Sequence, residues 1–151
     1  MAFYESDTFA PEISVGYLVR VAHQLSVAGL DHVFADEGMT AVQWQALLAL
    51  NFGAASTCVE LARHLNYDKG AMTRLVDQME ASGWIERQRD PQDRRVIRLE
   101  MTAEGQAAAR RCKERVLECW NTWLAGWSHE EIAGLIAGLQ KLRTTLTEAT
   151  A

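Results

Sequence analysis

The stretch that most constrains this chain runs from Asp68 to Thr102. Residues 68–82 carry helical periodicity behind an Asp68 N-cap, and Gly83 stops it. Two short runs follow, Trp84 to Arg89 and Val96 to Met101, each interleaving apolar and charged residues as a half-exposed hairpin does. Between them lies Asp90-Pro91-Gln92-Asp93-Arg94-Arg95. A bare turn needs only turn formers. Aspartates and arginines crowded together here predict a tip that touches a polyanion.

Upstream, Thr57-x-x-Glu60 has capping-box spacing and opens a short helix ending near Leu65. Asn66-Tyr67 makes a tight connection to the helix at 68–82, and the pair has the length and turn of a helix-turn-helix. Before it, Thr40 caps a helix over 41–51 with Trp44, Leu47, Leu48 and Leu50 inward. The expected fold class is mainly α with a small β-hairpin wing.

The two ends of the chain are different. Residues 1–10 read as polar and loose, and Glu12 to Phe34 as one long helix. Its apolar positions, Ile13, Tyr17, Leu18, Val21, Leu25 and Val33, recur at helical spacing, while Val15, Val19 and Val27 lie off that stripe. Such a helix is expected to be covered on more than one face. After the hairpin a long helix runs from Ala103 to about Gly126 and ends in Trp120, Trp123 and Trp127. Those tryptophans suit core or dimer contact better than a ligand cage. Ser128-x-x-Glu131 caps a last helix whose Ile132, Leu135, Ile136, Leu139, Leu142 and Leu146 form a seam wanting a partner. A centre of about 40–101 cannot bury both ends alone, so a two-fold dimer through 12–35 and 103–148 is expected, with Ile13, Tyr17, Ile132, Leu135, Leu139 and Leu142 in the interface.

Charge distribution fits a nucleic-acid partner only locally. The whole chain carries −5, but residues 1–62 carry −6, residues 63–98 carry +2 and residues 99–151 carry −1. Local field attracts phosphate, so the middle third is the candidate surface. Three cysteines do not make a disulfide scaffold, no window is apolar enough for a membrane span, and the N-terminus is unlike a secretory signal. The expected location is cytoplasmic, with no membrane partner. There is no Gly-rich phosphate loop, nucleophile elbow or paired His/Cys constellation, so no enzyme, catalytic residue or cofactor is expected. His23 and His32, nine apart, fall on opposite helix faces, and His64 and His129 stand alone, so no metal site is expected.

Gly70-Ala71-Met72-Thr73-Arg74, Gly83-Trp84-Ile85-Glu86-Arg87, Asp93-Arg94-Arg95 and Leu99-x-x-Thr102-x-x-Gly105 together resemble the MarR family of bacterial winged helix-turn-helix transcriptional regulators. The resemblance covers about 12–145, is sharpest over 60–105, and implies a single MarR-type domain over 1–151. It departs from the family pattern where Glu100-Met101 lengthen the segment after the wing. It implies a homodimeric, ligand-responsive repressor binding double-stranded DNA at a pseudo-palindromic operator. Lys69, Thr73 and Arg74 would reach phosphates or base edges in the major groove, where small Gly70 and Ala71 permit close approach. Asp93 would hold Arg95 in the minor groove, with Arg94 beside it on phosphate. Arg87, Arg89 and Arg98 along the strands are phosphate contacts or plain surface.

The resemblance also implies a small aromatic or anionic effector between the end helices and the centre. Trp44 would face it from one side, and Arg20, His23 and His32 from the other. The blander reading makes Trp44 core and the others surface. Some members of the family are thiol sensors with a cysteine near the start of the first helix, where this chain has none. Cys112 and Cys119, seven apart and about 10 Å along the axis, cannot pair within one helix. Whether Cys58, Cys112 or Cys119 is redox-active stays open. So does a second function, a winged helix that binds protein and reads no DNA sequence.

Overall fold

The computed structural model describes residues 3–150. Its elements are α1 (Val15–Val33), α2 (Ala41–Asn51), α3 (Cys58–His64), α4 (Lys69–Ala81), β1 (Ile85–Arg89), β2 (Ile97–Met101), α5 (Ala103–Trp123) and α6 (His129–Ala149). The chain divides into two compact units, one up to Arg115 and one from Val116 onward, with the boundary inside α5. The fold is mainly α with a two-stranded antiparallel wing. No helix among the described residues is long and apolar enough to cross a membrane.

The opening differs from the sequence expectation. The long helix does not start at Glu12: Pro11–Ile13 form a separate 3-10 turn, Ser14 is extended, and its hydroxyl accepts from the Tyr17 N–H to start α1 afresh. Ile13 therefore lies outside α1. Of residues 1–10, Met1 and Ala2 lie outside the described residues. The rest are not loose: Tyr4 stacks edge-on against Phe3 and Phe9, and its hydroxyl accepts from the Val15 N–H at 2.9 Å. Within α1 only Leu30 is buried in the single chain. Phe34 follows it into the core, and Asp31 accepts from the Ala41 N–H at 2.6 Å, tying α1 to the start of α2.

Thr40 and Gln43 form a full capping box on α2. Of the four residues expected inward, Leu47 is fully buried, while Trp44, Leu48 and Leu50 are half-buried. Small Ala46 and Ala49, near Leu47 in sequence, are buried instead. On α3 the expected box is only half made. Thr57 accepts from the Glu60 N–H, but the Glu60 carboxylate reaches Ser56, whose N–H and hydroxyl donate to it at 2.7 and 2.9 Å. Asn66, at φ 49°, turns the chain into α4, where Asp68 accepts from the Ala71 N–H at 2.8 Å.

The end of α4 aims the wing. Gly83 (φ +74°) donates to the Glu80 carbonyl and Trp84 donates to the Met79 carbonyl, a Schellman pair that satisfies two terminal carbonyls. β1 begins at Ile85 because the Trp84 N–H is spent there. β2 begins at Ile97 because the Val96 N–H goes to the Asp93 carbonyl. Arg87 stands opposite Leu99 in the ladder. Trp84, Ile85 and Leu99 of the hairpin and Met72, Val76 and Met79 of α4 are all buried, and β1 packs against α4 within one unit.

In the second unit α5 ends at Trp123, short of Gly126, as Leu124, Ala125 and Trp127 close a tight turn. Trp127 thus lies outside the helix, and Trp120 and Trp123 stack edge-on at 5.0 Å. Ser128 and Glu131 form the expected capping box on α6.

Candidate nucleic-acid interface

The first turn of α4 presents Lys69, Gly70, Thr73 and Arg74 to solvent, with Ala71 half-buried. The Thr73 hydroxyl donates to the Lys69 carbonyl at 3.0 Å and lies 3.8 Å from the Cys58 sulfur. Lys69 and Arg74 form no ion pair among the described residues, so their charges face outward. The same holds for Arg89 and Arg94 of the wing.

At the wing tip, Asp93 accepts three hydrogen bonds from Arg95: from its backbone N–H at 3.0 Å and its guanidinium at 3.1 and 3.2 Å. These bonds, from the guanidinium first and the backbone second, hold the Asp93 carboxyl below its ordinary value. Arg95 nevertheless stays 91% exposed at its side chain. It is a cation oriented but not consumed.

Two other arginines are consumed. Arg87 pairs with both Asp77 (2.5 Å) and Glu80 on the face of α4, so it braces β1 against the helix. Arg98 pairs with Asp90 and donates to the Ser56 hydroxyl at 2.9 Å. Asp90 is the buried carboxylate of the wing. It accepts the backbone N–H groups of Gln92 (2.7 Å) and Asp93 (3.0 Å), and those bonds, with Arg98, hold it below the usual carboxylate range. Sequence reasoning missed Ser56 and the role of Asp90. The signal available was an aspartate two and three residues ahead of unpaired amides in a Pro-containing turn, the setting of an Asx-turn.

Comparison with known proteins decides the family. The MarR family model matches residues 37–96. The multiple antibiotic resistance protein MarR of Salmonella typhimurium is 33% identical over 110 residues, 73% of this chain and 76% of the relative. The chain belongs to the MarR family. A crystal structure of a mutant E. coli MarR complexed with operator DNA has a TM-score of 0.77 at 30% identity, over 91% of this chain and 99% of that one. The multiple antibiotic resistance repressor MarR gives 0.73 at 29% identity, over 86% and 95%.

No hydrogen bond, ion pair or ring contact among the described residues joins the effector residues expected in this MarR-family chain. The Trp44 indole N–H donates to the Ala109 carbonyl at 3.4 Å and its ring packs on Phe34 at 5.8 Å. Arg20 lies over the Tyr17 ring and donates to Gln24, and His23 and His32 are exposed on α1. Cys112 is fully buried, its thiol donating to the Met39 sulfur, and burial pushes its pKa up to about 11. Cys58 and Cys119 are half-buried.

Proposed function

We propose that this chain is a homodimeric DNA-binding transcriptional regulator, a ligand-responsive repressor of a pseudo-palindromic operator. The whole chain acts as one MarR-type domain, with about 40–101 reading DNA and helices at about 12–35 and 103–148 pairing the subunits. The observation that carries the reading is Arg95, exposed at the wing tip and oriented by Asp93. A narrow minor groove concentrates negative potential and takes such a cation. Lys69, Thr73 and Arg74 on α4 supply the major-groove contacts, with Gly70 and Ala71 leaving room for the backbone to approach. Arg89 and Arg94 contact phosphate. A mutant E. coli MarR similar to this chain has been crystallised with operator DNA, and a similar MarR structure carries the name repressor.

Support for pairing comes from each unit separately. Val15, Tyr17, Leu18, Val19 and Leu25 are exposed on α1, and Leu135, Ile136, Leu139 and Leu146 on α6. Exposed apolar surface of that extent marks an interaction site. Effector binding acts by favouring a dimer geometry whose recognition helices no longer match the operator. On this reading the protein works in the cytoplasm, beside the DNA it binds.

The test is binding to tiled duplexes from the region upstream of the protein's own gene, with competitor DNA, at two salt concentrations. One duplex bound tightly, and more weakly as salt rises, is the expected result. Equal or absent binding to every duplex overturns the reading in favour of a protein-binding winged helix.

A further inference from the structure

Resting on the DNA-binding reading above, we propose that Asp90, Arg98 and Ser56 form a positioning chain that sets where Arg95 stands relative to the helix-turn-helix, and so fix minor-groove specificity without touching DNA. Asp90 is 7% exposed at its side chain in a turn otherwise open to water. One carboxylate oxygen takes the N–H groups of Gln92 and Asp93, and the other takes the Arg98 guanidinium. The turn is closed a second way, by the Asp90 N–H on the Val96 carbonyl (3.0 Å) and the Val96 N–H on the Asp93 carbonyl (2.9 Å). The backbone of Asp93 is thereby fixed by Asp90. The side chain of Asp93 in turn fixes Arg95. One backbone amide separates the buried carboxylate from the group that orients the exposed cation.

The chain continues away from the tip. A second nitrogen of Arg98 donates to the Ser56 hydroxyl, the Leu99 N–H donates to the Ser56 carbonyl at 2.8 Å, and Ser56 donates to Glu60 of α3. The wing is therefore bonded at side chain and backbone to the start of α3, the helix joined to α4 by the tight turn at Asn66. Arg87 braces the wing on α4, and this separate attachment ties it to α3 as well, fixing the span between the two groove-reading elements.

A positioning role and a phosphate contact by Arg98 make opposite predictions about salt. Losing one phosphate contact lowers the salt slope of binding by about one. Losing a positioning bond leaves the slope unchanged and removes preference for the sequence beneath the wing. The experiment uses the full-length protein and the operator duplex flanked by either A·T-rich or G·C-rich base pairs. Wild type, Asp90→Asn, Ser56→Ala, Arg98→Ala, Arg95→Ala and the Asp90→Asn/Arg95→Ala pair are compared. Wild type is expected to favour the A·T flank. Arg95→Ala loses that preference, about tenfold in affinity, together with about one unit of slope. Asp90→Asn and Ser56→Ala keep the Arg95 charge against the phosphate backbone but not its place in the groove, so they lose preference at unchanged slope, and the double variant is no worse than Arg95→Ala alone. Ser56→Ala leaves the Asp90 turn bonds in place, so it decides the matter if Asp90→Asn does not fold. Losses that multiply in the double variant, a Ser56→Ala protein with full flank preference, or a slope lowered by about one in Arg98→Ala each overturn the inference while leaving the DNA reading intact. A wild-type protein that binds no duplex specifically overturns the DNA reading itself.

Discussion

The carbonyl oxygen of Trp84 occupies the space that a β-carbon on Gly105 would need, 1.9 Å from its ideal position. That carbonyl is held in place, because it accepts the Thr102 N–H at 3.0 Å. The Thr102 hydroxyl donates to the Gly83 carbonyl at 2.5 Å and accepts the Gly105 N–H at 2.9 Å. The start of α5 is thus seated on the chain that leaves the recognition helix. Gly105→Ala must push backbone against backbone. Overpacking of this kind is expected to cost about 3 kcal/mol, read as a lower urea midpoint at unchanged slope. A variant with the wild-type midpoint would contradict the close approach.

Cys112 should be chemically quiet. It is fully buried between Arg111 and Arg115 in sequence, and burial first, then the Glu37 charge, pushes its thiol up to about 11. The thiolate is the reactive species. At pH 8, a disulfide reagent is expected to modify Cys112 of the native protein at least tenfold more slowly than in denaturant, a factor about the size of one pKa unit. Peptide mapping of the labelled sites reads this directly. Labelling of Cys112 at the denatured rate would mean that the core around Met39 opens.

Acid should weaken the fold through its paired carboxylates, those of the wing among them. Asp90 is held below its ordinary value by the Asp93 and Gln92 amides and by Arg98, Asp93 by Arg95, Asp36 by Arg115, and Glu60 by Ser56. A carboxyl whose folded pKa lies below its unfolded value contributes stability that is complete above about pH 4 and is lost as pH falls through the folded value. Urea midpoints are therefore expected to hold from pH 7 to 5 and to drop below about pH 4. Asp90→Asn should show a shallower acid limb, since it has lost one of the groups that titrates. Superimposable acid limbs would remove Asp90 from the account.

Local signals in the sequence were legible because they involve neighbours. The caps at Thr40, Asp68 and Ser128 and the stop at Gly83 stand where the spacing put them. The Asp93–Arg95 pairing came from the family resemblance and stands as implied, two residues apart on one turn. What sequence could not rank was the arginines. Arg87 and Arg95 sit in similarly charged surroundings, yet Arg87 is neutralised by Asp77 and Glu80 only because β1 folds back along α4. Arg98 is engaged by Asp90 and Ser56, the latter 42 residues away. Gly105 was visible as a motif residue, but its reason is a tertiary contact. Helical periodicity runs through Ser14 and predicts too long a first helix, because the extended backbone of Ser14 interrupts it.

Pairing of subunits is tested at α6. Leu139 is exposed in the single chain, in a run of apolar residues at helical spacing. Leu139→Asp would bury an unpaired carboxylate in a dimer seam, a cost of several kcal/mol. The variant is expected to scatter light as a monomer at micromolar concentration, with wild type dimeric. A dimeric variant would place the seam elsewhere.

If α4 and the wing read DNA from two copies of the chain at once, hydroxyl-radical footprinting of the bound upstream duplex, with wild type and Arg95→Ala side by side, will show it. Two protected half-sites are expected, their centres about one helical turn, roughly 34 Å, apart. Outer minor-groove protection is expected to disappear in Arg95→Ala while the central protection stays. A single protected site, or a footprint identical in the two proteins, would contradict this mode of binding.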